Sequence, residues 1–236
     1  MRLSYSAPSV AAPGLLWPWL LTVVSLAMIA VSTAYLLDGL HSAQGWLAFW
    51  SFRPGDIVTA MSDPWSQASW KTLTGLLSAL FLHADWFHLL GNLAYLWAFG
   101  VSVEKAVGHW RFALLFFLLG GLANLYAAWQ LYDVQNLPVI GASGGVSAVI
   151  GVYLGLFPRR RMGLWLPLGL YLQFARVPAV LVIGSWFTLQ LLYSVFGPAS
   201  HSVAWSAHLA GFVIGVGAAI LLRAVPAKIN LSYRDE

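Results

Sequence analysis

Charged residues divide this chain into long apolar blocks. Residues 15–37, 87–103, 112–132, 134–157, 177–196 and 205–222 are free of Asp, Glu, Lys and Arg. A bilayer core of about 30 Å is crossed by roughly 20 apolar residues in a helix. The pattern therefore predicts an all-α polytopic membrane protein, a bundle of six transmembrane helices with both termini on one side. The first third of 134–157 is loop-like, with Gln135, Asn136 and Pro138. A further apolar run, 162–175, is too short for a span and reads as an interfacial or re-entrant piece leading into the fifth span. A seven-span count is the alternative. A cleaved signal peptide at 15–37 is another, opposed by an n-region with only Arg2 and by the length of the apolar run. The domain reading is a tail over 1–14, a membrane domain over 15–222 and a second tail over 223–236. Residues 38–86 form a long, aromatic-rich loop, and a loop of that length has a role or short helices of its own.

Composition removes the soluble classes. The chain is 60% apolar and 8% charged, with a mean hydropathy of +0.76, whereas a soluble domain carries about 25% charged residues. A soluble globular protein and a disordered chain are both excluded. There is no cysteine, hence no disulfide, thiolate metal site or cysteine nucleophile. The formal net charge of +4 points to nucleic acid only until the charges are placed. With the N-terminus in the cytoplasm, Arg2, Lys105, Arg111, Arg159, Arg160, Arg161, Arg176, Arg223, Lys228 and Arg234 fall on that side, and only Arg53 and Lys71 on the other. That is the positive-inside distribution, so the basic charge is a topology signal and nucleic acid is not a partner. Asp38, Asp56, Asp63, Asp85 and Asp133 fall outside. Trp46, Trp50, Trp65, Trp70, Trp86, Trp129 and Trp205 gather near the outer boundary, as an aromatic belt does. The absence of an internal repeat gives an inverted-repeat transporter little support.

Polar residues inside spans are costly and usually functional. His88 and Asn92 are four residues apart, on one face of the second span near its outer end. Ser143 opens the fourth span, where backbone N–H groups are free, and His208 lies one turn into the sixth. At 1.5 Å per residue, all four sit within roughly 10 Å of the same membrane face. Ser143, Ser147, Gly151 and Gly155 recur every four residues, as do Ala207, Gly211, Gly215 and Ala219. Such small-residue stripes let helices approach closely in lipid, and if the two stripes face each other, Ser143 meets His208. Taken singly, Ser143 reads equally well as a helix cap and each histidine as a polar bridge between helices. Taken together they form a Ser–His dyad without a carboxylate, since no Asp or Glu lies in a span at this depth. The histidine accepts the serine proton, and the Ser143 N–H, Asn92 and His88 are candidate donors to an oxyanion. An open metal site of two histidines is the rival, short of a third ligand.

At these residues the chain resembles the rhomboid intramembrane serine proteases. The resemblance extends over about 70–222. It is carried by Trp70-Lys71, by His83-x4-His88-x3-Asn92, by Val103-Glu104-Lys105 with Gly108-His109, by Gly141-Ala142-Ser143-Gly144 and by Ala207-His208-x-x-Gly211. It implies a six-helix rhomboid-like bundle with Ser143 as nucleophile, His208 as base, and His88 and Asn92 at the oxyanion. Gly141, Gly144 and Gly211 are expected to pack at the site. It implies transmembrane protein substrates with helix-weakening residues, membrane lipids as surroundings, no cofactor and no metal, and leaves the oligomeric state open. The expected setting is a bacterial inner membrane with the site towards the periplasm, in a minimal six-span form. The segment 197–204 is a candidate cap over the site, and lateral entry lies near the fifth span. Two departures stand out. Some members carry a tyrosine stacked on the base four residues after the nucleophile, where this chain has Ser147. Lys71 replaces an arginine, losing bidentate geometry. A catalytically silent rhomboid-like binding or quality-control protein is the alternative reading.

Overall fold

A computed structural model describes residues 17–38, 43–134, 137–168, 171–196 and 205–224. The tails 1–14 and 225–236 and the expected cap at 197–204 lie outside the described residues. Helix α1 spans Trp19–Asp38. The long outer segment folds into α2 (Ala43–Trp50), α3 (Ile57–Ser62) and α4 (Gln67–Ser78), with short 3-10 turns at Pro54–Asp56 and Ala79–Phe81. Then come α5 (Trp86–Val107), α6 (His109–Gln130), α7 (Ser143–Leu156), a hairpin of β1 (Arg161–Leu168) and β2 (Tyr171–Pro178), α8 (Ala179–Phe196) and α9 (Trp205–Ala224).

The six apolar blocks thus each contain one main helix. Among the described residues, α1, α6 and α9 are long and apolar enough to cross a bilayer. Helix α5 joins them only together with the segment Gln67–Phe81, from which it is bent by 81°. Helix α7 has 14 residues, about 21 Å at 1.5 Å each, which is less than a hydrocarbon core.

The 162–175 run, expected as an interfacial or re-entrant piece, is extended rather than helical. It is part of an antiparallel hairpin in register Arg161↔Pro178 to Leu168↔Tyr171. Both ends of the hairpin therefore lie together, and the Ala179 N–H donates to the Arg160 carbonyl at 2.9 Å. An open two-stranded ribbon leaves edge N–H and C=O groups that hydrocarbon cannot satisfy. A seventh span through this run is therefore disfavoured.

Polarity is distributed inside out. Val23, Leu26 and Ile29 of α1, Leu114, Leu118 and Leu122 of α6, and Leu209, Val213 and Ile220 of α9 are exposed, while Ser25, Ser32, Asn92, Glu104, Asn124 and Ser147 are buried. Several of these buried polar groups find partners within the bundle. Trp97 Nε1 donates to Ser25 Oγ at 2.9 Å, and Asn124 Nδ2 donates to the Leu76 carbonyl at 2.8 Å. Glu104 caps the start of α1, accepting from the Leu20 and Leu21 N–H groups at 3.0 and 2.8 Å, with His109 Nδ1 at 2.5 Å.

Helices α7 and α9 lie against each other along their small-residue stripes. A Cβ on Gly211 would overlap the Gly144 carbonyl, one on Gly215 the Ala148 carbonyl, and one on Gly151 the Phe212 carbonyl. This close approach brings the N-terminal ends of the two helices together.

Candidate active site

Ser143 is the first residue of α7, and the cap position belongs to Ala142, which makes no side-chain cap bond. The capping alternative for Ser143 therefore fails, because its hydroxyl is engaged elsewhere. Ser143 Oγ lies 2.6 Å from His208 Nε2, between buried side chains. His208 is the fourth residue of α9. Its Nδ1 is buried with no hydrogen-bond partner among the described residues.

The turn before α7 is stitched to the outer segment. Val139 and Phe52 exchange backbone hydrogen bonds, and the Gly141 N–H donates to the Ala79 carbonyl at 2.8 Å. The Ala142 N–H donates to His83 Nε2 at 3.3 Å. That bond makes Nε2 the acceptor, so Nδ1 carries the proton and faces Ser32 Oγ at 3.0 Å. The Ser32 hydroxyl in turn donates to the Phe81 carbonyl at 3.0 Å. Burial, with His88 beside it, holds the His83 imidazole well below the usual histidine range, against a smaller opposing effect of its backbone contact at Phe81. His83 belongs to the histidine motif, yet the sequence gives no sign that it contacts the residue before Ser143.

Gly141 has φ 121°, a conformation that L side chains rarely adopt. A Cβ there would lie 2.8 Å from His88 Nε2 and 3.8 Å from Ser143 Oγ. His88 and Ser143 thus flank one small space beside the Gly141 backbone. Asp85 caps α5 by accepting from the His88 N–H at 2.8 Å. Asn92, one turn on, donates from Nδ2 to the His88 carbonyl at 2.9 Å, and its buried Oδ1 has no partner among the described residues. An open cavity of about 210 Å³ between α5 and α8 reaches His88 and Asn92 and is bordered by Tyr95, Trp186 and Leu189. Gly144 packs against Ala123 and Asn124 of α6, and Gly211 against Gly144 and Ala148. Among the described residues, no three His, Cys, Asp or Glu side chains converge.

Chemically, the arrangement is a hydroxyl in contact with an imidazole, at a helix start whose backbone N–H groups lack intrahelical partners. The opening between α5 and α8 ends at the neighbouring histidine and amide, His88 and Asn92.

Comparison with known proteins places the chain in a family. The Rhomboid domain profile matches residues 70–225. The chain is 26% identical over 203 residues to "Rhomboid protease GlpG" of Yersinia pestis, covering 84% of this chain and 60% of that protein. It is 28% identical over 148 residues to "Rhomboid protein 1, mitochondrial" of Saccharomyces cerevisiae, covering 60% and 39% respectively. It is also 29% identical over 130 residues to "Inactive RHOMBOID-like protein 8" of Arabidopsis thaliana, covering 52% and 34%. The chain thus spans between 34% and 60% of the length of these relatives. Its apolar helices make it a multi-pass integral membrane protein. The matched segment includes α5 to α9 with His83, His88, Asn92, Ser143 and His208, and the chain belongs to the Rhomboid family.

Proposed function

We propose that this protein is an intramembrane serine endopeptidase that cleaves peptide bonds in or beside transmembrane segments of other membrane proteins. The observation that carries the reading is the 2.6 Å contact between Ser143 Oγ and His208 Nε2 at the start of a short helix. If the Leu156 end of α7 meets one membrane surface, its length of about 21 Å leaves Ser143 below the other, in a core of about 30 Å.

His208 Nε2 takes the Ser143 proton as Oγ attacks the scissile carbonyl carbon. The carbonyl oxygen becomes an oxyanion, for which the Ser143 N–H, the second Asn92 amide hydrogen and a His88 ring N–H are the donors. Collapse breaks the C–N bond, and the proton on His208 goes to the leaving amine. Water then hydrolyses the acyl-serine by the same relay in reverse order. No carboxylate enters these steps. A substrate helix must unwind locally first, because its hydrogen bonds occupy the carbonyl to be attacked. The opening between α5 and α8 is the proposed route of entry.

In the cell, the membrane domain is proposed to cover 15–222, with six spans and cytoplasmic tails 1–14 and 223–236. The membrane is proposed to be a bacterial inner membrane, with the site towards the periplasm. The alternative, a catalytically silent rhomboid-like binding or quality-control protein, is favoured by one observation, the resemblance to a relative named as inactive.

Ser143→Ala and His208→Ala test the reading. Wild-type protein should react with a fluorophosphonate and cleave a model transmembrane substrate. Ser143→Ala should do neither, and His208→Ala should lose cleavage, while both retain the wild-type melting profile. Turnover near wild type in Ser143→Ala would sink the serine mechanism, and an unreactive, non-cleaving wild type would favour the silent alternative.

A further inference from the structure

Ser147 lies one turn beyond Ser143 on α7 and is fully buried. Its hydroxyl accepts a hydrogen bond of 3.1 Å from Trp186 Nε1. Trp186 comes from α8 and is itself buried, and its ring centre lies 6.2 Å from that of the His208 imidazole, at 60°. Tyr95 of α5 packs against the same indole, 4.5 Å between ring centres. The Tyr95 hydroxyl is in turn tied to Ser185 Oγ of α8 at 2.7 Å.

His208 is held by hydrogen bonding at one nitrogen only. Nε2 meets Ser143, whereas Nδ1 has no partner among the described residues. A proton-accepting imidazole needs a fixed orientation, which a group on its second nitrogen commonly supplies. Among the described residues, packing supplies it. Tilted aromatic contacts at about 4.5–7 Å between centroids are favourable, and Trp186 makes one. Trp205 makes another, 6.5 Å away at 82°, but it sits three residues earlier on His208's own helix and moves with it. Among the described residues, Trp186 is the ring neighbour of His208 that is itself tied to α7, through Ser147.

We propose that Trp186, pinned to Ser147 through its indole N–H, is the positioning residue that holds the His208 ring in line with Ser143. The inference rests on the reading of Ser143 and His208 as nucleophile and base. It also gives Ser147 a role, since a small hydroxyl there leaves room for the indole and supplies its acceptor.

The test uses the full-length protein reconstituted in liposomes, as wild type, Trp186→Ala, Trp186→Phe and Ser147→Ala. kcat and KM for a transmembrane reporter substrate are measured beside the melting temperature and the fluorophosphonate reaction rate as a function of pH. A catalytic group displaced by about 1 Å can cost on the order of 100-fold in rate. Trp186→Ala should therefore lower the kcat of the folded fraction about 10- to 100-fold, beyond any change in KM from its place at the α5–α8 opening. Trp186→Phe, which keeps a ring but loses the anchor, and Ser147→Ala should fall between it and the wild type. The pH profile of labelling should shift in Trp186→Ala, which a merely structural role would not cause. Wild-type kcat in folded Trp186→Ala would overturn the proposal. If Trp186→Ala does not fold, wild-type kcat in both milder variants would overturn it equally. A wild type that neither cleaves nor labels would defeat the protease reading and this inference together. A wild type that cleaves while every variant matches it defeats the inference alone.

Discussion

His83 makes none of the contacts expected of bond-breaking chemistry, yet it anchors the backbone from which Ser143 projects. It receives the Ala142 N–H and faces Ser32 on its other side. Replacing it with alanine leaves a buried N–H unpaired, which costs about 1–3 kcal/mol. His83→Ala should lower the melting temperature and reduce kcat in the folded fraction. The pH dependence has a definite sign. Burial lowers the folded-state pKa of His83 below its unfolded value of about 6.5. The unfolded chain therefore binds the proton first. Stability from this group is present above about pH 6.5 and is lost as the pH falls towards the folded pKa. Melting temperatures between pH 7 and pH 5 should fall less steeply in His83→Ala than in the wild type, and parallel slopes would remove His83 as a source. Asn92 and His88 call for a different measurement. Loss of one oxyanion donor costs about 10²–10³ in turnover, whereas loss of the nucleophile or base costs more. Asn92→Ala and His88→Ala should retain slow cleavage, since the Ser143 N–H remains. Full kcat with a lowered melting temperature would reduce both to bridges between helices.

Between elements, the contact of α7 with α9 governs the geometry at Ser143. Gly215 faces the Ala148 carbonyl so closely that a Cβ has no room, whereas Gly217, half a turn on, has open space around it. Gly215→Ala should therefore force the helices apart, at about 1–3 kcal/mol for overpacking, and lower both melting temperature and turnover. Gly217→Ala should be neutral or gain up to about 1 kcal/mol from helix propensity. Equal melting temperatures for the two variants would contradict the close approach. The pairing of these helices was legible because small residues every four positions are a local pattern with one packing consequence. The hairpin was not. Its apolar run lacks a clear period, and the register Trp165↔Phe174 is a pairing that hydropathy cannot reveal. The long segment before α5 announced its helices only by length. Its service to the site, through Phe52 with Val139 and Ala79 with Gly141, rests on backbone contacts that depend on no residue type. The partner of Trp186 escaped for a related reason. Ser147 marked a missing tyrosine, but the indole that contacts His208 comes from another helix, and no spacing connects positions 147 and 186.

For the whole molecule, the arrangement in the membrane follows from which groups share an end of the bundle. Arg160 reaches Ser102 Oγ near the end of α5, and Arg223 reaches the Gly155 carbonyl near the end of α7. Asp85, Ser143 and His208 lie at the opposite ends of α5, α7 and α9. Cations at one end and the site at the other are what the positive-inside rule associates with a cytoplasmic and an outer face. The hairpin adds a sharper constraint, because the pair Arg161↔Pro178 returns the chain to the side it left. Positions 159 and 176 are then expected in the same compartment, whereas a seventh span would separate them. The chain has no cysteine, so single cysteines can be introduced without background. In intact cells, a membrane-impermeant maleimide should label Asp63→Cys and Asp133→Cys and spare Arg159→Cys and Arg176→Cys. In inverted vesicles the pattern should reverse for all four. Opposite behaviour of positions 159 and 176 would mean that the hairpin segment crosses the bilayer. A uniform reversal in intact cells would instead keep six spans and turn the molecule over, placing Ser143 and His208 at the cytoplasmic face.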